Sequence, residues 1–122
     1  MEETMNFKTV AAYIILMLCM FVAGTAFSQN MCDSDICVVQ FNASWNESNS
    51  VDYLGKLTDC EVMNISIDEG TYQSDYKIVV VPTIIVFNGK EVERFQANIM
   101  MQIEATRRDV QDVVDEIIYS DF

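Results

Sequence analysis

Valine and phenylalanine dominate Val38 to Asn42, and the run stops at the polar stretch Ser44 to Ser50, a pattern that predicts a short buried strand. Val51, Leu54 and Leu57 then recur three apart beside Tyr53, which predicts a short helix ending near Thr58 and capped by one of the Ser or Asn residues before it. From Glu61 to Ile67 the chain alternates, with Val62, Asn64 and Ser66 on one side and Met63, Ile65 and Ile67 on the other, so a second strand is expected. A brief helical turn follows Asp68 to Gly70, with Tyr72 and Tyr76 four apart. Ile78 to Phe87 is again apolar and β-branched. Proline cannot donate to a sheet ladder, so the third strand begins at Pro82 or Thr83. Asn88-Gly89 signals a two-residue hairpin turn, from which Glu91 to Phe95 returns antiparallel. Thr106 and Asp109 have the spacing of a capping box, and Val110, Val113, Val114, Ile117 and Ile118 mark one face of a terminal helix. Strands separated by helices imply right-handed parallel crossovers, and the hairpin adds an antiparallel edge. The fold class is therefore α/β, a mixed sheet with helices packed on it.

The first segment has a different character. Val10 to Phe27 is an uncharged run of 18 residues after Lys8, with small and polar residues behind it, the layout of a secretory signal peptide. Glu2 and Glu3 weaken the positive start, whereas a start at Met5 would restore it. Small residues permit cleavage after Ala26 or Ser28. The rival reading is an uncleaved membrane anchor, although about 20 apolar residues are needed to span a bilayer. Cys19 reads as one more apolar residue of this run. The expected organisation is a signal or anchor at 1–28, an extension at 29–37 and one folded domain at 38–122. The expected location is periplasmic or extracellular, with membrane contact only if the first segment is retained.

Composition narrows the chemistry. At 122 residues and 13.9 kDa the chain has room for one domain. Its 19 acidic residues against 7 basic give a net charge of -12, the wrong sign for tracking phosphates, so nucleic acid is not an expected partner. Loss of residues 1–28 removes Glu2, Glu3 and Lys8 and leaves 17 acidic against 6 basic residues. With no histidine, imidazole acid-base catalysis, Ser-His-Asp and Cys-His mechanisms and histidine zinc sites are excluded.

VVQFNASW (Val38 to Trp45) and VVVPTIIVFNGKEV (Val80 to Val92) resemble the first central strand, the active-site approach, the proline loop and the terminal hairpin of the thioredoxin family. The resemblance runs over roughly Val38 to Tyr119. It implies a thioredoxin-like sheet of about four strands, trimmed at the N-terminus, with a cis Val81-Pro82 bond. The departure follows Trp45. Where family oxidoreductases carry Cys-x-x-Cys, this chain has Asn46-Glu47-Ser48-Asn49, and Gln40 stands where the family places a buried acid. Thiol-disulfide exchange needs an attacking thiolate and a resolving thiol, and an amide is neither. What the resemblance leaves is a surface: Trp45, backbone N–H groups of a strand-to-helix turn, and the main chain of Val81 beside Pro82, able to pair with an extended peptide.

The remaining cysteines are Cys32, Cys37 and Cys60. Cys32-x4-Cys37 without a helix N-terminus lacks the setting that lowers a thiol pKa, so a structural role is expected. In the family the strands that follow Cys37 and Cys60 are adjacent and parallel, and the resemblance thus implies a Cys37–Cys60 disulfide, with Cys32–Cys60 as the alternative. A three-cysteine metal site lacks Cys-x-x-Cys spacing, and no metal or other cofactor is expected. The glycosylation patterns at Asn42, Asn46 and Asn64 read as chance matches, the acids of the last helix as a solvated face, and Ile99, Met100, Met101 and Ile103 as packed core, with a soft apolar contact surface of the kind methionine suits as the alternative.

Two functions compete on this basis. One is an exported, redox-inactive thioredoxin-like protein that binds a protein or extended peptide as a chaperone-like or accessory module. The other is a thiol-disulfide oxidoreductase or isomerase that uses Cys32, Cys37 or Cys60.

Overall fold

The computed structural model describes Cys32 and residues 35–120. The predicted signal or anchor segment, with Cys19, lies outside the described residues. Among the described residues no helix is long and apolar enough to cross a membrane.

Four strands, β1 (Cys37–Asn42), β2 (Glu61–Ser66), β3 (Thr83–Phe87) and β4 (Glu91–Gln96), form one sheet in the order β2-β1-β3-β4. β1 pairs parallel with β2 and antiparallel with β3, and β3 pairs antiparallel with β4. β1 and β3 lie at the centre and are buried along their whole lengths. That is why they read as largely apolar runs, whereas the edge strand β2 alternates and the edge strand β4 is mostly exposed. β3 begins at Thr83, immediately after Pro82, and the Val81–Pro82 peptide bond is cis. The hairpin departs from its predicted form. Phe87 faces Glu91 across a three-residue loop, Gly89 takes φ 82°, and the register shifts between Val86 and Phe87. A left-handed glycine followed by a bulge is the usual way to close a loop of that length.

The sheet separates two cores. Cys37, Val39, Phe41, Ile85 and Phe87 face one side. They are covered by a single helical turn, α1 (Tyr72–Asp75), and by Tyr76, whose ring stacks against Phe41 and meets Phe87 edge-on. Val38, Ile84 and Val86 face the other side under α2 (Arg107–Ser120), which buries Val110, Val114 and Ile117. Burying each of these three is worth about 1.5–3 kcal/mol. The predicted capping box closes the start of α2: Thr106 N–H donates to Asp109 Oδ2 at 2.8 Å and Asp109 N–H to Thr106 Oγ1 at 3.3 Å.

Two expectations about this framework are corrected. The helix predicted around Val51 to Leu57 is replaced by two short 3-10 segments, Ser44–Asn49 and Leu54–Lys56. The Gln40 amide explains part of this, because it accepts from Val51 N–H at 2.9 Å and donates to Val51 C=O at 3.4 Å, occupying the groups a helix would use. Ile99, Met100 and Met101 are not core. Ile99 is 98% exposed, and only Ile103 packs inward. The Asn98 side chain causes this: its Oδ1 accepts from Met100 N–H and Gln102 N–H and folds a tight loop that lifts the intervening residues into solvent.

Candidate functional site

At the C-terminal end of β1 the chain leaves the sheet through Asn42 and Ala43 into the 3-10 segment Ser44–Asn49. Serine and asparagine side chains compete for backbone groups, which favours such a tight, irregular turn over a regular helix. Ser44 anchors its start, donating both its N–H and its hydroxyl to Asp68 Oδ2. The Ser44 hydroxyl, and after it the Ser44 N–H, hold the Asp68 carboxyl below the usual carboxylate range.

Behind this turn lies a ladder of amides. Asn42 Nδ2 donates to Asn46 C=O at 3.0 Å and to Ser50 Oγ at 2.7 Å, and Asn42 Oδ1 accepts from Ala43 N–H at 2.9 Å. Asn46 is buried, and its Nδ2 donates to Asn42 Oδ1 at 3.1 Å and to Val81 C=O at 3.3 Å. Asn49 completes the set through a 2.7 Å bond from its Nδ2 to Asn46 Oδ1. The two positions that the resemblance equates with the family's cysteines are thus donors and acceptors fastened to one another and to the loop before Pro82. No sulfur takes part. Two strand positions before Asn42, Gln40 Nε2 donates to Asn64 Oδ1 at 2.8 Å, so the buried residue at the position where the resemblance places an acid is satisfied by its in-register neighbour on β2.

Trp45 and Val81 line one cavity, and Pro82, the next residue after Val81, does not line it. Trp45 is 67% exposed and lines a cavity of about 320 Å3 with Val79, Val81, Ile99 and Met101. Among the described residues the backbone N–H groups of Val79 and Val81 have no hydrogen-bond partner. The Val81 carbonyl, by contrast, is already taken by Asn46. The sequence pointed to Trp45 and Val81 here, and of the two readings it left for Ile99 and Met101, packed core and apolar contact surface, the second is the one that the cavity shows. The signal was available in Asn98, a residue suited to tight turns.

The disulfide differs from the expected one. Cys32 is bonded to Cys37, with Cα atoms 5.8 Å apart, and Cys60 is free. Cys37 is in register with Glu61, so Cys60 stands one residue out of step. Successive side chains of a strand point to opposite faces, so Cys37 joins the Phe41 core while Cys60 packs with Val62 on the α2 side. Sharing one end of the sheet was not enough, because the thiols lie on different faces of it. Burial, with smaller contributions from Asp59 and Asp115, pushes the Cys60 thiol up, away from the reactive thiolate. The Cys32–Cys37 bond lies at the start of β1 and the Trp45 turn beyond its end, about 17 Å along the strand.

No protein-family model matches the sequence, and no curated protein does. Solved structures do. A mutant thioredoxin from Halobacterium salinarum is 27% identical and superposes with a TM-score of 0.51, the match covering 69% of this chain and 75% of that one. The fold is thioredoxin-like. A designed protein, 17% identical, gives the same TM-score of 0.51 over 81% of this chain and 91% of its own. The mixed four-stranded sheet with helices on both faces agrees with that assignment.

Proposed function

We propose that this chain is an exported thioredoxin-fold protein that performs no dithiol exchange at the Trp45 turn and binds an extended peptide or protein segment there instead. The observation that carries this reading is the cavity between Trp45, Val79, Val81, Ile99 and Met101, bordered by two unpartnered backbone N–H groups. Exposed apolar side chains around a concavity mark interaction sites, and free main-chain donors suit β-strand addition. Net acidity favours a segment with cationic residues flanking the apolar side chain that fills the cavity. The cis-proline loop and Trp45 hold the shape, and Asn46 fixes the distance between them.

The test is binding of labelled extended peptides, each with one bulky apolar residue between basic residues, followed by fluorescence anisotropy. Trp45→Ala and Ile99→Asp are each expected to weaken binding at least tenfold, about 1.4 kcal/mol, with unchanged circular dichroism. Binding that neither substitution alters would place the ligand elsewhere.

The Cys32–Cys37 disulfide favours the second reading, a thiol-disulfide oxidoreductase. Against it stand the burial of both sulfurs and their distance from the Trp45 cavity. Insulin reduction that vanishes in a Cys32→Ser, Cys37→Ser, Cys60→Ser chain would establish the enzyme. Cell fractionation with intact-mass measurement tests export and the fate of residues 1–28.

A further inference from the structure

A separate cluster lies at the opposite end of β1, independent of the peptide cavity. The sulfurs of Cys32 and Cys37 and a carboxylate oxygen of Glu61 all lie within 4.8 Å of one another. Topology produces this meeting. Cys37 opens β1, Glu61 opens β2, and the two are in-register partners of a parallel pair, so their side chains leave the same face of the sheet. Cys32 joins them through its bond to Cys37, the two Cα atoms 5.8 Å apart.

We propose that the reduced chain binds a thiophilic divalent cation of the Zn2+ class through Cys32 Sγ, Cys37 Sγ and the Glu61 carboxylate, and that the disulfide is the metal-free state of the same site. Cysteine thiolates and carboxylate oxygens are each ligands of Zn2+, and a site with three protein ligands leaves a fourth position for water. Four residues between the cysteines lie within the usual zinc-ligand spacing. Zn–S bonds of about 2.3 Å and Zn–O bonds of about 2.1 Å place tetrahedral ligands roughly 3.6–3.8 Å apart, so the two sulfurs, bonded to each other in the oxidised chain, separate on reduction to admit the ion, and the carboxylate oxygen, already within 4.8 Å, completes the set. Sulfur donors select Zn2+ over Mg2+ and Ca2+, which prefer oxygen alone. Asp35, Asp59 and Glu61 line an adjoining open cavity, and their negative charge concentrates cations at its mouth.

The two states exchange by balanced steps. A dithiol reductant gives up two electrons and two protons and becomes a disulfide, while the Cys32–Cys37 bond becomes two thiols. Metal binding then displaces one proton from each thiol. In the reverse direction a disulfide oxidant takes two electrons from the two zinc-bound thiolates and, with two protons from solvent, becomes a dithiol, while the Cys32–Cys37 bond forms and the ion leaves.

The experiment uses the full chain carrying Cys19→Ser, reduced anaerobically with a phosphine and desalted, then titrated with Co2+ and back-titrated with Zn2+. The expected result is one Co2+ per chain with thiolate-to-cobalt charge-transfer absorption, two protons released per ion, and displacement by Zn2+. The oxidised chain should bind none. Cys32→Ser should abolish the charge-transfer band, Glu61→Gln should keep it with affinity lowered at least tenfold, and Cys60→Ser should leave both unchanged. Reduction is expected to lower the thermal midpoint and Zn2+ to raise it again, so a reduced chain that has lost structure should regain it on addition of the ion. The proposal is overturned by equal binding in both redox states, by dependence on Cys60 rather than Cys32, or by a reduced chain that neither binds stoichiometrically nor refolds with Zn2+.

Discussion

Asn46 Nδ2 donates to the carbonyl of Val81, 35 positions away in the chain, across 3.3 Å. This bond ties the Trp45 turn to the loop before Pro82, and it spends the amide of Asn46 on structure. Asn46→Ala removes this donor and the partner of Asn49 from a buried position, and is expected to cost about 2 kcal/mol, read as a lower denaturant midpoint at constant m-value. It also frees the Val81 carbonyl, so peptide affinity at the Trp45 cavity should rise rather than fall. Unchanged stability would show that the amide ladder is not formed in solution.

Asn46→Asp turns the same bond into a pH probe. An ionised carboxylate there faces two oxygens, Asn42 Oδ1 and Val81 C=O, that now accept from Nδ2. The folded state therefore favours the protonated acid, and its pKa is raised. A group raised on folding contributes stability below its unfolded value, about 3.9 for Asp, and loses it as pH climbs through the folded value. Denaturation of this variant at pH 3.5 and pH 7 should show the higher stability at the acidic end relative to the parent chain.

Gln40→Leu tests the buried amide at the middle of β1. It strands Val51 N–H and Asn64 Oδ1 without their present partners, and a loss of about 1–3 kcal/mol is expected. Hydrogen exchange should quicken at Val51, because no other group accepts that N–H. A chain as stable as the parent would mean that water replaces the glutamine without penalty.

The phenol of Tyr53 donates to Ala105 C=O at 2.6 Å and joins the second core to the approach of α2. Burial first, and the charge of Asp109 second, push its pKa up to about 12. Because the folded value lies above the unfolded value near 10, this residue's contribution is complete below pH 10 and is lost as pH rises through about 12. Tyr53→Phe should be less stable at pH 7 by about 1 kcal/mol, for the lost hydrogen bond, and should lose less stability than the parent between pH 10 and 12. Identical alkaline profiles would remove Tyr53 from this role.

The Cys32–Cys37 bond closes a loop of six residues, worth about 2 kcal/mol in the chain-entropy model. Cys32→Ser should therefore lower the thermal midpoint by roughly 10 °C for a domain of this size, whereas Cys60→Ser should leave it nearly unmoved. Peptide mapping without reduction checks the pairing. A Cys37–Cys60 product would contradict the placement of those thiols on opposite faces.

Local patterns settled the strands and the terminal helix, though not the segment after β1. Alternation marked β2, Pro82 marked the start of β3, Thr106 and Asp109 marked the start of α2, and the absence of sulfur at positions 46 and 49 was plain in the residues themselves. Each of these signals is written within a few neighbouring residues, where steric and capping preferences act. Tertiary contacts decided what no local window contains. Register placed Cys37 and Cys60 on different faces, Gln40 took Val51 out of a helix, and Asn98 turned Ile99 and Met101 toward Trp45 instead of the core. Strand parity and the choice of hydrogen-bond partner depend on groups that meet only after the sheet has formed.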